Sequence, residues 1–316
     1  MNHLRFLKYV DEIARAGSIR QAAERLHVAP SAVNRRLQDM EEELGTPIFE
    51  RLPRGMRLTA AGELFIGYVR SRSAELEQVR SKIEELRGLR RGTVRIAVSQ
   101  ALAPAFLPLA IAAFRKQHPL VEFQIAVVDH VRALSALRAF EADLALVLGL
   151  APEADIDIVA QLEQRLCAVM HHRHPLANAS RAIRIRDCAN YPLVLSSPDT
   201  GGRQILERFL ARSSLKLRPI IESNSFELLR NCVYQEQAIT FQFAIGAVTD
   251  GGKLVAREIE DRGFPRGQLV LARLSGRHLP VIAHAFSDHL LRALAGRAPG
   301  TAPGNVAVLS QASAGA

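Results

Sequence analysis

The chain has 316 residues, 48% hydrophobic and 23% charged, and carries a formal net charge of +9. That length and apolar content suit two or three domains with buried cores, while no stretch approaches the roughly 18 to 20 uninterrupted apolar residues of a membrane span. Cys167, Cys188 and Cys232 are few, odd in number and without CxxC spacing, which argues against a disulfide framework or a zinc site. They read as buried thiols, with a redox role as the alternative.

The basic surplus is spread along the chain: residues 1–92 hold 17 Lys+Arg against 13 Asp+Glu, and the remainder holds 24 against 19. Bulk charge therefore does not single out a nucleic-acid-binding domain, and pattern has to do so. The N-terminus is amphipathic and acidic early, at Asp11 and Glu12, unlike a signal peptide. The expected compartment is the cytoplasm, with no membrane partner.

Short helices separated by turn signals fill the chain to about Leu58. Gly17-Ser18 ends the first, and Ser18 with Gln21 gives the spacing of a capping box that opens the second. Ile19, Ala22, Ala23 and Leu26 mark its buried stripe. After "HV", Pro30 suits the first position of a third helix, where its missing N–H costs nothing. Two short helices joined by a tight turn make a helix-turn-helix.

In the third helix, Val33, Leu37, Met40 and Leu44 fall on one face and are expected to be buried. Projection at about 100° per residue puts Ser31, Arg35, Gln38 and Glu42 opposite, with Asn34 on the flank and Arg36 nearer the protein. The acidic run Glu41–Glu43 would repel phosphates, so only the leading turns suit DNA. There Arg can read guanine O6/N7 or hold a phosphate, and Asn can read adenine N6/N7. A solvated arginine-bearing surface helix is the plainer reading of "NRR" taken alone. The next segment, "IFERLPRGMRLT", reads as two short strands around a Gly-containing turn, a basic wing that presents Arg51 or Arg54 to the DNA backbone or minor groove.

From "LRFLKYVDEIARAGSIRQAAERLHV" through "LQDMEEELGTPIFERLPRGMRLTAAGE", about sixty positions, the sequence closely resembles the N-terminal domain of LysR-type transcriptional regulators. The resemblance has one departure. The family usually opens the recognition helix with Ser-Gln-Pro and has a Ser four residues on, where this chain has Ala29-Pro30-Ser31 and Asn34. Ala29 is a poor N-cap, costing about 1 kcal/mol relative to Ser. The candidate DNA-contacting set is Ser18, Arg20, Pro30, Ser31, Asn34, Arg35, Gln38, Arg51 and Arg54.

Thr59 can cap a long helix running to about Arg87, some 42 Å in length. Phe65, Val69, Leu76, Val79, Ile83 and Leu86 follow a/d spacing, broken where Arg72 takes a d-type position, and read as a dimerisation seam. The resemblance implies dimerisation through this helix and usually assembly into tetramers.

After "GLRRG" (88–92) the character changes. "TVRIAVS", "VEFQIAVV" and "DLALVL" are strands, alternating with the helices "APAFLPLAIAAFRKQHP" and "VRALSALRAF", which points to an α/β fold with a largely parallel sheet. A second α/β unit has strands near "RLCAVM", "YPLVLS", "RPIIES" and "AITFQF" and helices near "RQILERFLA" and "FELLRNCVY". "GQLVLARL" and the helix "LPVIAHAFSDHLLRALAG" close it, and a small, polar, Pro/Gly-rich tail is expected to be disordered.

The expected fold class is thus α/β with an N-terminal all-α winged helix-turn-helix. By resemblance the C-terminal part is a bilobal, periplasmic-binding-protein-like (type 2) effector-binding domain. The expected boundaries are 1–58 for the DNA-binding domain, 59–88 for the linker helix, 93–295 for the effector domain and 296–316 for the tail. Within the effector domain, lobe I takes 93–161 and 266–295 and lobe II takes 162–265, with two crossing strands between them.

On that fold the ligand cleft lies at strand ends and helix N-termini. The candidate effector contacts are Ser99, Gln100, Ala101, Val128, Asp129, Ser196, Ser197, Thr240 and Phe241. Asp129 reads equally well as a helix N-cap. "HHRH" (171–174) lacks acidic or cysteine companions, so no metal site is assigned.

The leading reading is a ligand-responsive, DNA-binding transcription regulator whose partners are double-stranded promoter DNA, a second copy of itself and a small-molecule effector. RNA polymerase is a further candidate partner, and no cofactor is expected. An enzyme would need a nucleophile elbow, Walker loop, GxGxxG or zinc-spaced cluster, and none is found, so no catalytic residue is assigned. A ligand-free nucleoid protein is the third reading.

Overall fold

The computed structural model describes residues 2–86, 91–150, 153–247 and 253–296. The expected disordered tail beyond 296 and most of the segment 88–92 lie outside them. Two compact units divide the chain, residues 1–83 and 84–316.

In the first unit, helices α1 (Asn2–Ala16), α2 (Ile19–Leu26) and α3 (Pro30–Leu44) precede a two-stranded antiparallel hairpin, β1 (Phe49–Leu52) and β2 (Gly55–Leu58). Val10, Ile13, Ala22, Ala23, Val33, Leu37, Ile48, Phe49 and Ile66 form their common core. The two alanines of α2 are what let α1 and α3 approach a helix of only 8 residues. Between α2 and α3 the chain turns at His27 in the left-handed region, and the Val28 N–H closes the helix end on the Ala23 carbonyl.

Three details differ from the sequence expectation. Ser18 occupies the N-cap of α2, but its side chain makes no capping hydrogen bond, so the capping box is not formed. Leu44 is 44% exposed, because α3 ends at Gly45 just beyond it and the chain turns away before that face can be covered. Glu41, read as part of a phosphate-repelling run, is used by the fold instead. One of its carboxylate oxygens accepts from the N–H groups of Ile48 and Phe49 and pins the start of the hairpin to α3.

The hairpin is placed by glycine. Gly55 has φ +135°, a Cβ there would lie 2.5 Å from the Gly17 carbonyl oxygen, and that same oxygen accepts from the Met56 N–H at 2.8 Å. The α1–α2 turn and the β1–β2 turn thus lock through backbone alone.

Thr59 caps α4 (Ala60–Leu86): its hydroxyl accepts from the Gly62 N–H and donates to the Pro47 carbonyl. The helical stripe divides in two. Phe65 and Ile66 join the first unit's core and Val69 is buried, whereas Val79, Ile83 and Leu86 are exposed, Leu86 by 88%. Self-packing therefore accounts for the leading part of the stripe that the sequence reading assigned wholly to a seam.

In the second unit, β3 (Gly92–Val98), α5 (Phe106–Gln117), β4 (Val121–Val127), α6 (His130–Arg138) and β5 (Leu144–Leu148) form successive βαβ units, and β6 (Ile156–Gln164) follows. With β12 (Gly267–Leu274) these strands make a five-stranded sheet in the order β4-β3-β5-β12-β6. β3 runs parallel to β4 and β5, and β12 is antiparallel to β5 and β6. All five residues of β5 are buried, as expected for a central strand covered on both faces.

A second sheet has the order β10-β7-β11, from β7 (Leu166–His171), β10 (Thr240–Phe243) and β11 (Leu254–Glu258). β8 (Leu193–Ser196) and β9 (Pro219–Ser223) pair in parallel beside it, tied on by the Leu193–Ile239 bridge. Helices α7 (Ile185–Cys188), α8 (Gly201–Leu210) and α9 (Phe226–Glu236) belong to this part, and α10 (Val281–Ala295) closes the first. The chain passes between the two parts where β6 leads into β7, and returns where β11 leads to β12. One apolar core runs from Val94 and Phe286 to Leu193 and Phe243. β6, β11 and α7 were not among the elements read from the sequence.

Buried charge is confined and paired. Asp143 is fully buried and Arg277 nearly so; the guanidinium donates to the Asp143 carboxylate at 2.6 Å and to the Ala142 carbonyl, while Asp143 also accepts from the Arg95 N–H. Among the described residues no helix is long and apolar enough to cross a membrane.

Candidate functional site

The first candidate site is the face of α3 and the hairpin. Ser31, Arg35 and Gln38 are exposed on one side of α3, while Val33 and Leu37 are buried on the other. Ala29 and Pro30 start the helix with no capping side chain, and the Ala29 carbonyl accepts from the N–H groups of Ala32 and Val33. Ser18 is half-buried and Arg20 exposed beside them.

Pairing separates the arginines of this surface. Arg20 pairs with Glu24, Arg25 with Glu12, Arg36 with Asp39 and Arg57 with its cross-strand neighbour Glu50. Arg51 donates to the side-chain oxygen of Asn34 at 2.8 Å, so the hairpin and the helix meet at those two residues. Arg35, on the open face, and Arg54, in the two-residue turn between β1 and β2, are exposed and have no acidic partner among the described residues. Charges left unneutralised by their own chain are the ones free to release counterions from a polyanion.

The second candidate site is a cavity of about 280 Å³ in the α/β unit, lined by strand ends and helix starts. Six of the nine expected residues line it: Ser99, Gln100, Ala101, Val128, Asp129 and Phe241. The other three do not. Thr240 is fully buried at the start of β10, and the cavity is reached by the three residues after it, Phe241, Gln242 and Phe243. Ser196 is buried, its hydroxyl within 2.8 Å of the Thr200 hydroxyl. Ser197 is held in the turn, its N–H donating to the Ser223 carbonyl.

What the sequence reading missed is the start of α8. Thr200, Gly201 and Gly202 line the cavity, and no side chain caps this helix, because the Thr200 hydroxyl is spent on Ser196 and on the Ser197 carbonyl. The dipeptide Gly-Gly ahead of a helical pattern was the available signal. Gly201 packs tightly, since a Cβ there would stand 3.1 Å from the Leu148 carbonyl oxygen.

Gln100 crosses the cleft, its side-chain oxygen accepting from the Phe226 N–H at 2.8 Å. Gly246 approaches the Ala101 carbonyl so closely that a Cβ would lie 2.4 Å from it. Asp129 is the N-cap of α6, accepting from the Arg132 N–H at 2.8 Å, and it also lines the cavity.

The remaining polar clusters serve local structure. The Nδ1 atoms of His171 and His174 accept from the N–H groups of Arg173 and Leu176. Among the described residues no group of three His, Cys, Asp or Glu is arranged to hold a metal. Burial pushes the Cys167 thiol up to about 11 and the Cys188 thiol up to about 12, which disfavours the reactive thiolate at both.

Two family models match this chain. "Bacterial regulatory helix-turn-helix protein, lysR family" covers residues 4–63, and "LysR substrate binding domain" covers residues 87–295. The HTH-type transcriptional activator CmpR of Synechocystis sp. is 27% identical, over 88% of this chain and 91% of its own length. The RuBisCO operon transcriptional regulator of Allochromatium vinosum is 29% identical, over 91% and 95%. Among solved structures, full-length CbnR in complex with its target DNA superimposes with a TM-score of 0.61 at 20% identity, covering 92% of this chain and 99% of that one. A full-length OxyR variant from Pseudomonas aeruginosa gives 0.66 at 21% identity, with 92% of each chain covered.

Proposed function

This chain belongs to the LysR family of bacterial transcriptional regulators, and on that premise we propose which of its residues meet DNA, which meet a ligand and how two copies join. It is a DNA-binding regulator with a helix-turn-helix and an effector-binding domain, not an enzyme. The DNA-facing residues are Ser18, Arg20, Pro30, Ser31, Asn34, Arg35, Gln38, Arg51 and Arg54, with residues 1–58 as the binding domain. The observation that carries this reading is the pairing pattern: among the described residues Arg35 and Arg54 stand exposed without a carboxylate, while most of the arginines around them are neutralised.

Residues 59–88 join two copies through the exposed Val79, Ile83 and Leu86. A seam of apolar side chains left open on a long helix is covered by an equally long partner, and dimers bring two reading heads to one pseudo-palindromic site. Residues 93–295 bind a small-molecule effector in the 280 Å³ cavity, whose walls combine phenylalanine rings with the uncapped start of α8. Both lobes touch the cavity, so a ligand there has different contacts in open and closed arrangements and shifts their balance. The protein works in the cytoplasm, where RNA polymerase is its further partner at the promoter.

Footprinting on the protein's own upstream region tests this reading. The expected result is a protected site at physiological salt, altered by a metabolite that also raises the melting temperature. Equal binding to unrelated sequences, with no metabolite producing a thermal shift, would favour a nucleoid protein instead.

A further inference from the structure

We propose that Asn34 and Arg51 act as one reading unit that selects guanine over adenine. The inference rests on the reading of α3 as the DNA-facing helix and goes beyond it by naming the base.

A guanidinium carries donors only. The amide atom 2.8 Å from Arg51 Nη2 is therefore the Asn34 oxygen, and the amide nitrogen is the atom left to meet a ligand. An unencumbered asparagine reads adenine by accepting from N6 through its oxygen while donating to N7 through its nitrogen. Here that oxygen is already engaged. Its second lone pair lies beside a cation, so an adenine amino group entering there would bring its own donor hydrogens against the guanidinium. What the pair offers outward is a row of N–H groups, and guanine answers it with two acceptors, O6 and N7. Thymine offers one acceptor and a methyl group.

The pair is set up by its surroundings. Arg51 lies opposite Met56 in the hairpin, whereas Arg57 lies opposite Glu50 and pairs with it. No carboxylate among the described residues competes for Arg51, and the nearest basic neighbour of Asn34 that does have one, Arg36, is held by Asp39. Asn34 is half-buried on the flank of α3, which limits how far its amide can turn.

The test selects operator sequences from a randomised duplex library with the full-length protein, Asn34→Ala and Arg51→Met. The methionine keeps much of the arginine's reach and removes every donor. One position per half-site loses its preference in Asn34→Ala, and there the wild type favours guanine over adenine by about 10-fold. In Arg51→Met the ratio at that position reverses toward adenine, while the lost cation weakens all sequences alike. Unchanged melting temperatures show that both variants fold.

Adenine as the wild-type choice at that position overturns the proposal. So does a guanine preference that survives in Arg51→Met, or an Asn34→Ala variant with no altered position. A wild type that enriches no sequence overturns it together with the reading of α3 beneath it.

Discussion

The helix-turn-helix unit pairs many of its arginines but leaves some open at one surface, whereas the α/β unit also draws an arginine into its interior. In the first, Arg35 and Arg54 are exposed and have no acidic partner among the described residues. In the second, Arg277 is buried against Asp143, Arg138 holds Glu153 and Asp155, and Arg203 links Glu207, Glu222 and the Ser196 carbonyl. A guanidinium matched to a carboxylate by its own fold is structural, and one left unmatched at the surface is available to a partner. The cavity of the α/β unit is lined instead by an uncapped helix start and by backbone at glycine.

Removing one partner of the buried pair should separate the two uses most sharply. Asp143→Ala leaves Arg277 charged and buried, at a cost of about 3–5 kcal/mol. The melting transition measured by calorimetry is expected to fall by roughly 10 °C. Arg35→Ala, at an exposed site, is expected to change stability by less than about 0.5 kcal/mol. A similar shift in both variants would erase the distinction.

The next effect is geometric. Gly55→Val forces a side chain into a left-handed φ and against the Gly17 carbonyl, so the hairpin must move. Strain of this kind costs about 1–3 kcal/mol. Operator affinity, followed by fluorescence anisotropy, should fall further than the exposed substitution Leu52→Ala makes it fall. Equal losses would show that the hairpin's placement does not matter.

Ile83→Lys bears on assembly alone. Ile83 is 45% exposed, so the single chain loses little packing, while a lysine in the seam opposes its own copy. Sedimentation should show a smaller species with the melting of the α/β unit unchanged. An unaltered sedimentation coefficient would remove α4 from the interface.

The same contrast explains what could be read from residues alone. The helix-turn-helix was legible because its signals are local: Gly17-Ser18 at the end of one helix, Pro30 at the start of another, and apolar spacing that put Val33 and Leu37 inward. The cleft was legible only in part, because the way distant strand ends and helix starts come together decides which residues reach it. Phe241 lines the cavity and Thr240 does not, though both sit in one apolar run. β6 carries an alternating signal in Ile156, Ile158, Ala160 and Leu162 that the sequence reading did not use, whereas β11 is short and mostly half-buried. The Asn34–Arg51 contact joins residues 17 positions apart, beyond the reach of any local pattern.

The proposed DNA-facing surface depends on Arg35 pointing at the duplex. Footprinting Arg35→Ala on the operator tests this most directly, with sedimentation and melting as controls. The expected result is loss of discrimination between operator and unrelated duplex, about 1–3 kcal/mol per half-site, with the oligomer and melting temperature unchanged. Normal protection of the operator by that variant would contradict it.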